Sequence, residues 1–288
     1  MVSALADFLR MIKFSHTIFA LPFAGIAVLV LWPELSPNSE LYLTLLQILV
    51  CMVALRTAAM TFNRLADQKF DAHNPRTASR EIPAGKIKQQ SAILITSISL
   101  LVFVGTAFTI NKLCGLLAPL AVVTALGYSY AKRFTYLCHF WLGFAIGQAP
   151  AAAAIALTEA VTAVILFWSG GLMFYIAGFD ILYSLMDQEF DRKVRLHSIP
   201  ARFGTNVALY LARISHFIAL VFFIMAAQGR GAVFYLVLGV VALLFFIEHY
   251  LVRNSDLKRI PLAFFNINAV ISSVLFLGLL LDVWTGST

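Results

Sequence analysis

Apolar residues along this chain come in stretches of about twenty, the length at which a helix rising about 1.5 Å per residue crosses a bilayer core of about 30 Å. Short segments rich in charges, Pro, Gly and Asn separate them. The pattern predicts nine membrane-spanning helices, over 14–32, 41–62, 91–110, 113–130, 136–157, 161–185, 207–227, 232–252 and 262–284. The first follows Asp7, is too long for the apolar core of a secretory leader and lacks a small-residue cleavage site, so it reads as a retained helix. No Pro-rich or low-complexity linker divides the chain. The expected fold is all-α, a polytopic membrane bundle of about nine transmembrane helices, with residues 1–288 as one transmembrane domain.

Charges alternate from one connection to the next. Arg10 and Lys13 precede the first span, and the following loop carries Glu34 and Glu40 without Lys or Arg. The third holds Arg64, Lys69, Arg76, Arg80, Lys86 and Lys88. The same side later carries Lys132 and Arg133, then Arg192, Lys193, Arg195 and Arg202, then Arg253, Lys258 and Arg259; the opposite side has little beyond Lys112 and Arg230. Because basic loops stay inside, the N-terminus is expected to be cytoplasmic and the protein to lie in the inner membrane.

Composition agrees with the pattern and changes how the charge is read. Of 288 residues 61% are hydrophobic and 12% charged, with a mean hydropathy of +0.87, whereas soluble domains carry roughly 25% charged residues. A water-soluble fold is excluded. The net charge of +7 is mainly topological, and no nucleic-acid partner is expected; the bilayer is. Cys51, Cys114 and Cys138 have no CxxC or His partner at metal spacing and read as free thiols.

Two connections on the basic side begin with acids on the continuation of a span. After the second, Asn63, Asp67 and Asp71 follow at intervals of four and share one helical face. The sixth continues through Asp180, Tyr183, Asp187 and Asp191, again at helical period. Like charges so spaced repel unless a cation lies between them. Mg²⁺ takes oxygen ligands, usually one or two carboxylates together with substrate phosphates and waters, so two acidic faces suit ions bridging a diphosphate; the alternative is a solvated acidic helix end. Arg56, Asn63 and Asp67 match Asp180, Asp187 and Asp191 at a constant offset of 124, which suggests an internal repeat. A charge two turns inside a span is disfavoured against lipid, and the stripes are expected to face one another across a polar cavity. Arg76 and Arg80, in a loop turned by Pro75, Pro83 and Gly85, are suited to fork onto phosphate oxygens. Tyr128, Tyr130, Lys132 and Arg133 add to the same side.

These residues resemble the UbiA-type superfamily of membrane prenyltransferases over nearly the whole chain. The family pattern Asn-x3-Asp-x3-Asp, then Arg-Thr-x2-Arg-x-(Ile/Leu)-Pro-x-Gly, is met by Asn63, Asp67, Asp71, Arg76, Thr77, Arg80, Ile82, Pro83 and Gly85. A second pattern, Asp-x2-Tyr-x3-Asp-x3-Asp, is met by Asp180, Tyr183, Asp187 and Asp191. The resemblance implies nine helices around a central cavity and transfer of a polyprenyl group from its diphosphate to an aromatic acceptor. It implies Mg²⁺ on Asn63, Asp67, Asp71, Asp187 and Asp191, substrate contacts from Arg56, Arg64, Arg76, Arg80, Lys132 and Arg133, and Tyr128, Lys132, Asp180 and Tyr183 near the reacting centre.

The opening Lys13 to Phe23 and the run Arg56 to Arg64 look like the quinone-pathway branch, whose acceptors are 4-hydroxybenzoate or 1,4-dihydroxy-6-naphthoate; Ser15-His16-Thr17 leans toward the latter. Both acceptors are carboxylates. Arg56 either binds that carboxylate or pairs with Asp180, and His16 either shapes the acceptor pocket or packs at the membrane interface. A secondary transporter of a small anion is the reading from another class, although its site would lie at the midplane rather than at one surface. The haem and chlorophyll prenylating branches are the enzymatic alternatives.

Overall fold

The apolar runs close their backbone hydrogen bonds within themselves, as lipid requires. A computed structural model describes residues 7, 8, 10–12, 21–252 and 266–286, and all regular structure among them is helical. The helices are α1 (Leu21–Leu31), α2 (Ser39–His73), α3 (Gln89–Ile110), α4 (Lys112–Ala131), α5 (Cys138–Gly147), α6 (Ala149–Thr158), α7 (Ala163–Ser184), α8 (Gln188–Lys193), α9 (Ile199–Phe203), α10 (Thr205–Ala226), α11 (Ala232–Val252) and α12 (Asn268–Trp284). Counting α5–α6 and α7–α8 as one span each, seven are long and apolar enough to cross a membrane. The shorter apolar helices at Leu21–Glu34 and Asn268–Trp284 occupy the places of the first and ninth predicted spans. The chain is an integral, multi-pass membrane protein.

Three spans depart from the expected outline. Helix α2 runs to His73, 35 residues in all or about 52 Å, so it overshoots a core of about 30 Å and carries its acids beyond the apolar stretch. The fifth span breaks at Gln148, where Pro150 lies in the first turn of α6; proline lacks the N–H that would continue the ladder. The sixth span, whose acids read as one stripe at helical period, is interrupted in the structure. Helix α7 ends at Ser184, Leu185–Asp187 form a 3₁₀ turn, and α8 starts at Gln188. A 3₁₀ turn advances about 120° per residue rather than about 100°, so Asp187 and Asp191 are rotated off the line set by Asp180.

The chain forms two compact units, one from the described parts of 1–17 and 37–130, the other from those of 18–36 and 131–288. In the first, Ala54 of α2 meets Phe103 and Ala107 of α3 and Ala118 of α4, and the three alanines are small enough to let helices approach where no water drives them together. In the second, α7 is the most buried long span. Its Trp168, Leu172, Tyr175 and Phe179 pack with Phe23 of α1, Phe223 of α10, Phe245 of α11 and Leu275 of α12. Helix α5 lies against α7 through Gly143 and Gly147, because a Cβ at Gly143 would run into the Met173 carbonyl and one at Gly147 would come within 3.0 Å of the Ser169 carbonyl.

Candidate functional site

In the first unit the acidic stripe keeps helical register. The Asn63 amide Nδ2 donates to Asp67 Oδ2 at 3.1 Å, one turn on, and lies 3.5 Å from Ser129 Oγ of α4. Asp71 is buried, and Arg80 Nη1 donates across both its carboxylate oxygens at 2.7 and 2.8 Å. The intervening sequence makes that pair. Asn74 ends α2, and its Oδ1 accepts from the Arg76 N–H at 3.0 Å. Buried Thr77 turns the chain back by donating its hydroxyl to the Asp71 carbonyl at 3.2 Å. The Arg80 N–H then bonds the Thr77 carbonyl at 2.9 Å, which carries the guanidinium to Asp71. Gly85 closes the loop at φ +70°, a left-handed conformation that glycine adopts without a Cβ clash. Arg64 is buried, Arg56 and Tyr128 are half-buried, and Arg76 is exposed.

In the second unit Asp191 and Asp180 draw their partners from elsewhere in the chain. Asp191, buried to 2%, accepts from Lys132 Nζ at 3.1 Å. Lys132 is itself fixed through its backbone, since its carbonyl accepts from the His197 N–H at 2.6 Å. Partial burial disfavours the Lys132 ammonium, but Asp191, Asp187, the Cys138 sulfur and Asp180 outweigh it and raise its pKa above the ordinary lysine value. Asp187 is buried, and Tyr183 and Arg133 are half-buried. Asp180 is held by His139, whose Nδ1 lies 2.7 Å from Asp180 Oδ2. His16 lies outside the described residues, as do Lys13, Arg253, Lys258 and Arg259.

Sequence reasoning passed over Ser129 and His139, and also a polar cluster inside the second unit. There Tyr175 Oη donates to the Asn268 carbonyl at 2.8 Å, Asn268 Nδ2 donates to Glu248 Oε1 at 3.0 Å, and His216 Nδ1 lies 3.5 Å from Glu248 Oε2 and 3.1 Å from His249 Nε2. The signal was available, because ionisable residues within apolar spans are costly and find partners. The cluster ties α7 to α10, α11 and α12, and Gly178 admits the His216 ring where a Cβ would collide with it.

The donor sets suit a hard cation that brings its own ligands. Asn63, Asp67 and Asp71 in one unit and Asp187 and Asp191 in the other offer only oxygen to a metal, and among the described residues no three His, Cys, Asp or Glu converge to cage an ion. Mg²⁺ fits such a set, since it relies on one or two carboxylates, waters and substrate phosphate oxygens rather than a closed protein cage. Cys51, Cys114 and Cys138 form no disulfide.

Comparison with known proteins matches this architecture. The model of the UbiA prenyltransferase family covers residues 20–270. A 4-hydroxybenzoate octaprenyltransferase from Enterobacter sp. (strain 638) is 30% identical over 267 residues, 90% of this chain and 92% of that protein. Another, from Alkalilimnicola ehrlichii, is 32% identical over 238 residues, 82% of this chain and 80% of its own length. Among solved structures, the apo UbiA homolog from Aeropyrum pernix K1 superposes with a TM-score of 0.82 at 30% identity, covering 93% of this chain and 98% of that one. A UbiA homolog from Archaeoglobus fulgidus bound to GPP and Mg²⁺ shares the fold, with a TM-score of 0.71 at 18% identity over 95% of this chain and 99% of that one.

Proposed function

The chain belongs to the UbiA prenyltransferase family, and from that premise we propose that it transfers a polyprenyl group from its diphosphate to a hydroxylated aromatic carboxylate, with Mg²⁺ bound by Asn63, Asp67, Asp71, Asp187 and Asp191. The observation that carries the reading is that both acidic helix ends offer oxygen donors, each with a cation from its own unit already engaged, Arg80 on Asp71 and Lys132 on Asp191. Magnesium, when bound, supplies the electron withdrawal that makes diphosphate a good leaving group.

The chain's own residues do the rest. Arg64, Arg76, Arg80, Lys132 and Arg133 bind diphosphate oxygens and balance the charge that metal ions leave over. Tyr128, Lys132, Asp180 and Tyr183 line the reacting centre, and Arg56 takes the acceptor carboxylate. The apolar spans exclude water, which would otherwise capture the allylic cation as an alcohol. As C1 of the prenyl chain parts from the bridging oxygen, an electron-rich ring carbon attacks it, and the ring proton leaves with the diphosphate. The basic loops support a location of both acidic ends at the cytoplasmic face of the inner membrane.

Relatives named for 4-hydroxybenzoate support that acceptor, while Ser15-His16-Thr17 supports 1,4-dihydroxy-6-naphthoate; a phenolic carboxylate is common to both. The test supplies purified protein with Mg²⁺, a labelled polyprenyl diphosphate and a panel of 4-hydroxybenzoate and dihydroxynaphthoates, with products identified by mass. An adduct with one of them is expected. Unreacted acceptor throughout the panel refutes the reading.

A further inference from the structure

His139 sits in the first turn of α5, fully buried, with both ring nitrogens engaged. Nδ1 lies 2.7 Å from Asp180 Oδ2, and Nε2 faces the backbone N–H of Ile199 at 3.3 Å. An amide N–H only donates, so Nε2 must present its lone pair and the proton of the neutral ring must sit on Nδ1, where it donates to Asp180. An imidazolium would set two N–H groups against each other. Ile199 opens α9, which Ser198 caps, and the neighbouring His197 is bonded to the carbonyl of Lys132 and to the Cys138 thiol. The ring is therefore braced on two sides. The Asp180 side chain keeps 13% of its surface exposed, which leaves part of the carboxylate open while Oδ2 is held.

We propose that His139 is a positioning residue for prenyl transfer, fixing Asp180 as an oriented carboxylate that receives the acceptor's hydroxyl. The inference rests on the prenyl-transfer reading and deepens it. Asp180 accepts the hydroxyl proton as the ring's electron pair forms the bond to the prenyl C1 and the C1–O pair departs with diphosphate. The ring C–H proton then goes to the diphosphate and Asp180 returns its proton to the oxygen, so the phenol is restored. Without His139, Asp180 is still present but swings free of this orientation.

The test compares the parent, His139→Phe and His139→Asn, purified in detergent and assayed with Mg²⁺, polyprenyl diphosphate and the panel of 4-hydroxybenzoate and dihydroxynaphthoates, each also melted. Phe keeps the volume and removes the donor; the Asn amide restores an N–H close to the position of Nδ1. We expect His139→Phe to lower kcat about 10- to 100-fold with the KM for polyprenyl diphosphate changed by less than about twofold, and His139→Asn to recover most of the loss. A merely structural histidine would lower the folded fraction and leave kcat per folded molecule unchanged. Parent-like turnover in His139→Phe, or a His139→Asn as impaired as His139→Phe, overturns the proposal. If His139→Phe does not fold, His139→Ser takes its place in the comparison. A parent that yields no product overturns the prenyl-transfer reading as well, whereas an active parent with an indifferent His139→Phe overturns this inference alone.

Discussion

The two acidic helix ends solve one electrostatic problem differently. At the first, α2 is continuous through Asn63, Asp67 and Asp71, and the cation opposing the last acid lies nine residues on, delivered by a loop that Asn74 and Thr77 curl back. At the second, the helix is interrupted by a 3₁₀ turn at Leu185–Asp187, and the acids draw on distant chain: Lys132 is 59 residues from Asp191, and His139 is 41 from Asp180. Under the repeat offset of 124, Asp71 corresponds to Arg195, which stands at φ +58°. The second copy thus has an arginine at the position where the first has its last acid. A local motif is sufficient to neutralise one end, whereas the other depends on the packing of its whole unit.

The comparison breaks most visibly in turnover. Asp67→Asn and Asp187→Asn should each lower kcat about 100- to 1000-fold while the melting temperature stays near that of the parent, because each removes charge from the oxygen set proposed to hold Mg²⁺ and little packing. Unequal losses, with one variant near normal, would mean that only one end serves the reaction. In stability, Lys132→Met should cost about 2 kcal/mol and Arg80→Met about 1 kcal/mol, since the first leaves the more deeply buried carboxylate without its cation. Thermal melts in detergent check the order. Smaller still, Thr77→Val should cost about 1 kcal/mol or less by removing the hydroxyl that returns the loop to α2.

The smallest effect is in pH. The Lys132 pKa is raised on folding, so its contribution is complete below the ordinary lysine value of about 10.4 and fades only as pH rises beyond it toward the higher folded value. The penalty of Lys132→Met should therefore be flat from pH 7 to pH 9, as melts of both proteins across that range would show.

What could be read from sequence follows the same division. The spans were legible because an apolar run of bilayer length has few other uses. The first acidic end was legible because its partners are near in sequence: the spacing of four predicts one helical face, and Asn74, Thr77 and Arg80 lie within a short loop. At the second end the helical period is legible but its interruption is not, since nothing in the run Leu185-Met186-Asp187 marks a 3₁₀ turn in the way that Pro or Gly would. His139 gave no signal, because its significance depends on Asp180 and Ile199 arriving beside it through folding. The cluster of Tyr175, Asn268, Glu248 and His216 was half legible, as buried ionisable residues inside spans, but its connectivity joins four helices.

The central claim is that both ends bind the same magnesium diphosphate, and it is tested most directly by calorimetric titration of an unreactive prenyl thiodiphosphate into the parent, Asp67→Asn, Asp187→Asn and the double variant, with and without Mg²⁺. The account predicts Mg²⁺-dependent binding in the parent, loss of that dependence in either single variant, and a double variant little worse than the singles, because they disable one shared interaction. Full Mg²⁺-dependent affinity in either single variant would contradict it.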